Sequence, residues 1–270
     1  MALQRYAATS AVDFVSAFAA AAAEVVETIP SCDMAAAVPA CPPWSTYDLV
    51  RHLGNIHAWA ATIVETGSST PEQNDRPRSR RAKSVARWYT GKAEDLLQVL
   101  RHAQPDEECW TFSARHHTQA FWPRRQAHET LIHLVDLHQT LGTTPDIPAD
   151  IAADGVAEVL EVFLPRMHAK GLPARLSAPL RLHATDTDDA WLLTPARLDD
   201  GSPIVRRLES PDLGGLDVLD VEGHRVATVR ASASDLMQLL WKRRSPDESG
   251  IDLEGNEDRI LDFLDSPLTP

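Results

Sequence analysis

Glu129 and His133 are the residues of this 270-residue chain whose types and spacing first suggest chemistry. Four positions apart on a helix, at ~100° per residue, a carboxylate and an imidazole stand one turn apart on a single face. Arg125, Asp136 and Thr140 fall near the same line, while Ala127, Leu131, Leu134, Val135, Leu137 and Leu141 cover the other sides. A helix that is apolar on most sides is normally buried, which turns its polar stripe inward. Burying such groups unpaired is costly. A metal ion would remove that cost, and so would a Glu–His hydrogen bond inside a bundle. The zinc-protease motif does not apply. It needs two His at i and i+4, whereas His128 and His133 lie ~140° apart around the helix. A metal would therefore take Glu129 and His133 from this helix and at least one further ligand from elsewhere.

Other elements must supply that ligand and the surrounding wall. Phe121-Trp122-Pro123 suits the start of the key helix, with Pro where its missing N–H costs nothing, and Gly142 marks its stop. Ser10-Ala11-Val12-Asp13 predicts a cap for a first helix running to about Ile29. Ser45-Thr46-Tyr47-Asp48 predicts a second, with Leu49, Leu53, Ile56, Ala60 and Ile63 at helical spacing. That second helix carries His52 and His57; a lone His on an amphipathic helix is more often structural than a ligand. The polar loop from Gly67 to Arg81 holds Arg76, Arg78, Arg80 and Arg81, either solvated or facing an anion. A third helix is expected over residues 82–102, His116-His117 in a loop, and a further helix over residues 150–167.

The pattern changes after Gly171-Leu172-Pro173. Leu180–Thr185, Trp191–Leu193 and Val226–Arg230 read as strands, with Gly201, Gly214, Gly215 and Gly223 between them. Ser232-Ala233-Ser234-Asp235 caps a helix that ends at Lys242-Arg243-Arg244, and a last short helix spans residues 257–264. The expected architecture is α+β. A helical bundle over residues 1–171 is followed by a small α+β domain over 172–270.

A formal net charge of −13 argues against a nucleic-acid backbone or an anionic membrane as the main partner. Cys32, Cys41 and Cys109 are odd in number and form no C-x-x-C pair, which fits a reducing compartment. Met1 to Tyr6 shows no secretory pattern, and the alanine run Ala19–Ala23 reads as too short and polar to span a bilayer. A cytoplasmic location is expected. Oligomeric state is not legible.

Two stretches then assemble into a known pattern. Cys41-Pro42-Pro43-Trp44-Ser45 leading into Asp48-Leu49-Val50-Arg51-His52-Leu53, and His128-Glu129-Thr130-Leu131-Ile132-His133-Leu134-Val135-Asp136, resemble the two signatures of the mycothiol-dependent maleylpyruvate isomerase family. That family belongs to the DinB-like metal-binding four-helix bundles. Leu180–Asp186 with Trp191, and Ser234-Asp235-Leu236 through Leu240-Trp241-Lys242-Arg243, resemble its small C-terminal domain. The resemblance implies a divalent metal, usually Zn2+, held by His52, Glu129 and His133. An open fourth position is the arrangement of a catalytic site. It also implies mycothiol, the small thiol of actinobacteria, as cosubstrate, and a functional arginine at Arg243, one residue after Lys242 where the family more often has glycine. Arg244 is adjacent, so the register stays open, and a helix C-cap is the other role for these cations. Asp136 either orients a ligand imidazole or caps the helix. In such a site a zinc-bound thiolate attacks a small electrophile. Retention or exchange of the thiol gives S-transfer, the expectation taken first because the fold hosts varied thiol chemistry and the Arg-rich loop could widen or gate the site. Loss of the thiol after rotation gives cis-trans isomerisation of the maleylpyruvate type, the alternative. A metal-binding stress-response protein without turnover is the rival of another class.

Overall fold

A computed structural model describes residues 12–198, 201–208, 220–221 and 224–270. Met1–Tyr6, Ser10, Ala11, Gly214, Gly215 and Gly223 lie outside the described residues. Helix α1, Phe14–Thr28, is capped by the Asp13 carboxylate, which accepts from the Ser16 N–H. Helix α2, Thr46–Thr66, opens on the expected capping box: the Asp48 N–H donates to the Ser45 hydroxyl, and Ser45 N–H donates back to the Asp48 carboxylate. Helix α3 covers Ala82–His102 and helix α4 covers Phe121–Gln139. Gly142 takes φ +68° just after α4, the left-handed conformation that only glycine adopts cheaply.

These four helices form the bundle. Each of α1 and α2 packs on both α3 and α4, so α1 and α2 occupy opposite corners. Along the α2–α4 seam His52 meets Glu129, and Trp59 meets Trp122. Counting up on one helix matches counting down on the other, so the two run antiparallel. The stretch Phe14–Ser31 has the length and apolarity to cross a bilayer, with Glu24 and Glu27 as its only charges, contrary to the sequence expectation. Its alanines make it apolar without bulk, and Phe18, Ala21, Ala22 and Val25 are instead buried in the bundle.

Gly54 sets how closely α2 and α3 approach. A Cβ there would stand 2.4 Å and 2.6 Å from ring atoms of Trp88, whose indole N–H donates to Asp75. Gly54→Ala is expected to destabilise the fold by about 1–3 kcal/mol through overpacking. Gly91→Ala on α3, where nothing lies within 4 Å of the added Cβ, should instead stabilise slightly. Thermal melts of the two variants check both signs.

Beyond the bundle, the expected single helix is interrupted. Helix α5, Ala149–Glu158, passes through a π-helical turn, Val159–Phe163, into helix α6, Leu164–Ala169. Pro165 is the physical reason: it has no N–H to donate and its ring crowds the carbonyl four residues back, so the chain widens by one residue before it. The Leu164 N–H accordingly reaches the Val159 carbonyl. Strands β1 (Leu180–Ala184), β2 (Asp189–Arg197), β3 (Pro203–Leu208), β6 (Ala227–Ala231) and β7 (Asp252–Glu254) make a five-stranded sheet in the order β3-β2-β1-β6-β7. Within it β1 and β6 are parallel and the other pairs antiparallel. Strands β4 (Asp220–Val221) and β5 (His224–Arg225) pair separately. Helix α7, Ala233–Leu240, is capped by Ser232 as expected, and helix α8 covers Glu257–Leu264. Val156, Val159, Leu160 and Phe163 share one core with Leu182, Val229, Leu236 and Trp241, and Leu131, Ile132 and Val135 of α4 join it. The back of α4 therefore rests on the α+β part while its polar stripe faces α2.

Candidate metal centre

The stripe converges as the spacing predicts, and α2 contributes the third group. His52 Nε2 lies 3.4 Å from Glu129 Oε1, and His133 Nε2 lies 3.3 Å from the same oxygen. All three donor atoms fall within 4.8 Å of one another. The two imidazole–carboxylate separations exceed the roughly 2.7–2.9 Å of charge-assisted hydrogen bonds. They match the edge of a tetrahedron: ligand atoms 2.0–2.2 Å from zinc stand about 3.3–3.6 Å apart. Two imidazoles and one carboxylate, with His52 still 29% exposed, fit a divalent metal that keeps an open position.

Each group is held from behind. The Trp44 ring tilts against the His52 ring at 4.7 Å, and the rings of His52 and His133 meet edge to face at 5.2 Å. His133 Nδ1 is 2.8 Å from Asp136 Oδ2, so the ring donates there and turns Nε2 toward Glu129 and His52. Glu129 Oε2 accepts from Arg125, leaving Oε1 to the imidazoles; Arg125 also donates to Glu158, and all of this pair is buried. Burial alone would raise the Glu129 pKa, but Arg125 and the two imidazoles hold it well below the usual carboxylate range. Burial would likewise lower His133; its bond to Asp136 and the adjacent Glu129 carboxylate outweigh that and raise it to about 9.

Asp136 joins the C-terminal residues to the site. It is fully buried, and it accepts from Arg243 Nε at 2.8 Å and Nη2 at 2.9 Å. Arg243 Nη1 donates to the Trp241 carbonyl and Nη2 to the Cys41 sulfur at 3.2 Å. Four of its five N–H groups are thus engaged, and one on Nη1 remains. Arg244 turns the other way, to Asp235 and Glu248. The geometry therefore separates the two arginines that the sequence left in register doubt. Cys41, His133 and Asp136 also cluster, but Arg243 already supplies the cation beside them. Burial first, and then the Asp136 charge, push the Cys41 thiol up to about 12, so it stays protonated.

Other histidines stand aside. His57 is fully buried, with Nδ1 3.0 Å from Gln126 Oε1 and Nε2 3.1 Å from the Tyr89 hydroxyl, and burial pushes it down to about 4. His128 turns from the stripe to Asp154 of α5 at 2.7 Å. His116 and His117 are exposed loop residues. Arg76, Arg78, Arg80 and Arg81 are also exposed, Arg80 lying 4.3 Å over the Tyr47 ring. Their loop is pinned to α2 by Asn55, which donates to the Asp75 carbonyl and accepts from the Asp75 N–H. A cleft of about 680 Å³ opens beside Arg243 between Ala40, Gln139 and Leu239, but none of His52, Glu129 and His133 lines it.

Sequence reasoning passed over Trp44 as a wall for His52, Cys41 as a neighbour of Arg243, and Glu158 as the partner of Arg125. Only Arg125 carried a local signal, its place four residues before Glu129.

Residues 15–138 match the model of the mycothiol maleylpyruvate isomerase N-terminal domain, and residues 150–261 match that of the same family's C-terminal domain. Among solved structures, a mycothiol-dependent maleylpyruvate isomerase superposes with a TM-score of 0.58 at 15% identity, covering 89% of this chain and 91% of that one. A histidine-to-alanine mutant of the mycothiol-dependent maleylpyruvate isomerase gives the same TM-score and coverage at 14% identity. No curated protein sequence matches.

Proposed function

Because the chain belongs to the mycothiol-dependent maleylpyruvate isomerase family, we propose that it is a metal-dependent enzyme isomerising a small cis-unsaturated diacid with mycothiol as catalyst. The observation that carries this reading is the meeting of His52, Glu129 and His133, both imidazoles standing at tetrahedral-edge distance from one Glu129 oxygen, braced through Asp136 by Arg243. These three side chains would hold the metal, zinc by donor chemistry. When bound, such an ion lowers the pKa of a coordinating thiol so that thiolate is present at neutral pH.

The chain's own residues do the rest. Asp136 fixes the ring of His133, and Arg125 fixes the carboxylate of Glu129, so the three donors are set before any ligand arrives. Arg243, held by Asp136, offers its remaining Nη1 hydrogen to a carboxylate or carbonyl oxygen of the electrophile. The protonated Cys41 does not compete with the small thiol. In the reaction, mycothiol sulfur bonds to one carbon of the conjugated double bond and the electron pair moves to the neighbouring carbonyl. Rotation about the resulting single bond follows. Return of the electron pair then breaks the C–S bond, leaving the trans isomer and regenerating the thiol.

S-transfer shares the addition step and then keeps the C–S bond, the electron pair on the adduct taking up a proton from solvent. Its hint in the sequence was the Arg-rich loop, whose arginines face solvent, so the family match weighs toward isomerisation. The test is turnover of maleylpyruvate by zinc-loaded protein with substoichiometric mycothiol. Conversion to the trans isomer with thiol unconsumed is expected. Consumption of thiol would replace isomerisation with transfer, and metal binding without turnover would favour the non-catalytic rival.

A further inference from the structure

Three guanidiniums lie along one strip of aromatic rings. Trp241, Phe163 and Phe112 follow one another at centroid distances of 5.1 Å and 6.1 Å. Arg243 sits 5.8 Å from the Trp241 ring centre, Arg125 5.1 Å from that of Phe163, and Arg166 4.0 Å from that of Phe112. Arg243 has Asp136, and Arg125 has Glu129 and Glu158. Arg124, also facing α5, has Asp154 and Glu161. Arg166 is the exception: partly buried, it has no carboxylate in ion-pair contact among the described residues. Burial and the charge of Arg125 both pull its pKa down, opposed by the exposed Glu72. A partly buried guanidinium stacked on a ring, with no carboxylate in ion-pair contact, keeps N–H groups that can donate to an anion.

Its position ties it to the metal centre. Phe112 packs on Phe121 at 5.1 Å and on Trp122 at 6.3 Å, and Trp122 packs on Trp59 at 5.4 Å. Trp122 precedes Glu129 on α4, and Trp59 follows His52 on α2, by two helical turns in each case, a rise of about 10 Å. The seam therefore carries the three candidate ligands at one end and the Trp59–Trp122 pair at the other, where Phe112 packs on Trp122 and Arg166 stacks on Phe112. The π turn before Arg166 belongs to the same wall, since it supplies Phe163.

We propose that Arg166 binds a carboxylate of the electrophile at the end of the site remote from the metal ligands. This deepens the isomerase reading and rests on it, because an electrophile of the maleylpyruvate type is a diacid. Arg243 has a single N–H to spare near the metal, whereas Arg166 offers a whole guanidinium fork to the second carboxylate.

The test is calorimetric titration of adipate and of its monomethyl ester into zinc-loaded, thiol-free protein, with Arg166→Gln and Arg166→Lys compared. The unmodified protein should prefer the diacid by about tenfold, as a charge-assisted pair predicts. Arg166→Gln should lose that preference and Arg166→Lys keep part of it, with metal content unchanged in both. With maleylpyruvate and mycothiol, Arg166→Gln should raise KM about tenfold while kcat stays within about twofold. A preference that survives in Arg166→Gln, or that is absent from the unmodified protein, overturns the assignment. Diacid preference without turnover of maleylpyruvate would refute the isomerase reading alone, and turnover without the preference would refute the role of Arg166 alone.

Discussion

Glu129→Ala and His133→Ala are expected to leave the protein without stoichiometric metal under conditions that load the parent fully. They should also cut kcat/KM by well over the roughly 100-fold typical of losing an outer-shell partner. Each removes one of three donors, and a two-donor remnant cannot hold the ion against water or chelator. His52→Ala is the cleanest of the set. His52 is the most exposed of the three side chains, so its loss leaves the bundle core intact. Glu129→Ala leaves Arg125 paired with Glu158 and does not strand a buried cation. Helical circular dichroism should therefore persist in all three. Full metal occupancy in any of them would remove that residue from the site.

Metal binding should also depend steeply on pH, with a sign fixed by His133. Its folded pKa of about 9 lies above the ordinary value of 6.5. In the metal-free protein, the protonated ring therefore adds stability below about pH 6.5, and this is lost as pH rises through about 9. A metal must displace that proton, so affinity should climb about tenfold per pH unit up to about pH 9 and then level. Titrations at pH 7 in two buffers of different ionisation enthalpy should report about one proton released per metal ion. Zero release would show that His133 Nε2 is not a ligand atom.

How far the site was legible follows from where its parts lie in the chain. Glu129 and His133 share a helix, so periodicity alone put them on one face. His52 lies on another helix, and only the family resemblance promoted it above a structural histidine. The Arg243–Asp136 pair joins residues 107 positions apart, and Cys41–Arg243 joins residues 202 apart. No local pattern encodes either. The limits of α3 and α8 followed from apolar spacing, and that of α2 from its cap. Strand β7 has three residues and an exposed-intermediate-exposed burial pattern, too short to alternate visibly. The π turn escaped because its cause, Pro165, sits beyond it.

Asp136→Asn should do damage out of proportion to the one atom it changes. The carboxylate serves His133 with one oxygen and Arg243 with both. Burial would raise its pKa, yet those bonds hold it at about 2, so its contribution to stability exists above the ordinary 3.8 and is lost as pH falls through about 2. An amide has one acceptor and one donor group. If its NH2 faces Arg243, two donors meet in a buried site. If it faces His133 Nδ1, the ring must carry its proton on Nε2, the atom that a metal needs. Either orientation should lower metal affinity by about 10- to 100-fold. Stripping a buried guanidinium of its carboxylate should cost about 3–5 kcal/mol of stability. Arg243→Gln separates the two roles. It leaves the His133–Asp136 bond in place, so metal affinity should fall less than in Asp136→Asn, while thermal stability drops in both. Equal metal affinity in Asp136→Asn and the parent would mean that Asp136 serves only to anchor Arg243, and that the orientation of His133 is set by packing against Trp44 and His52.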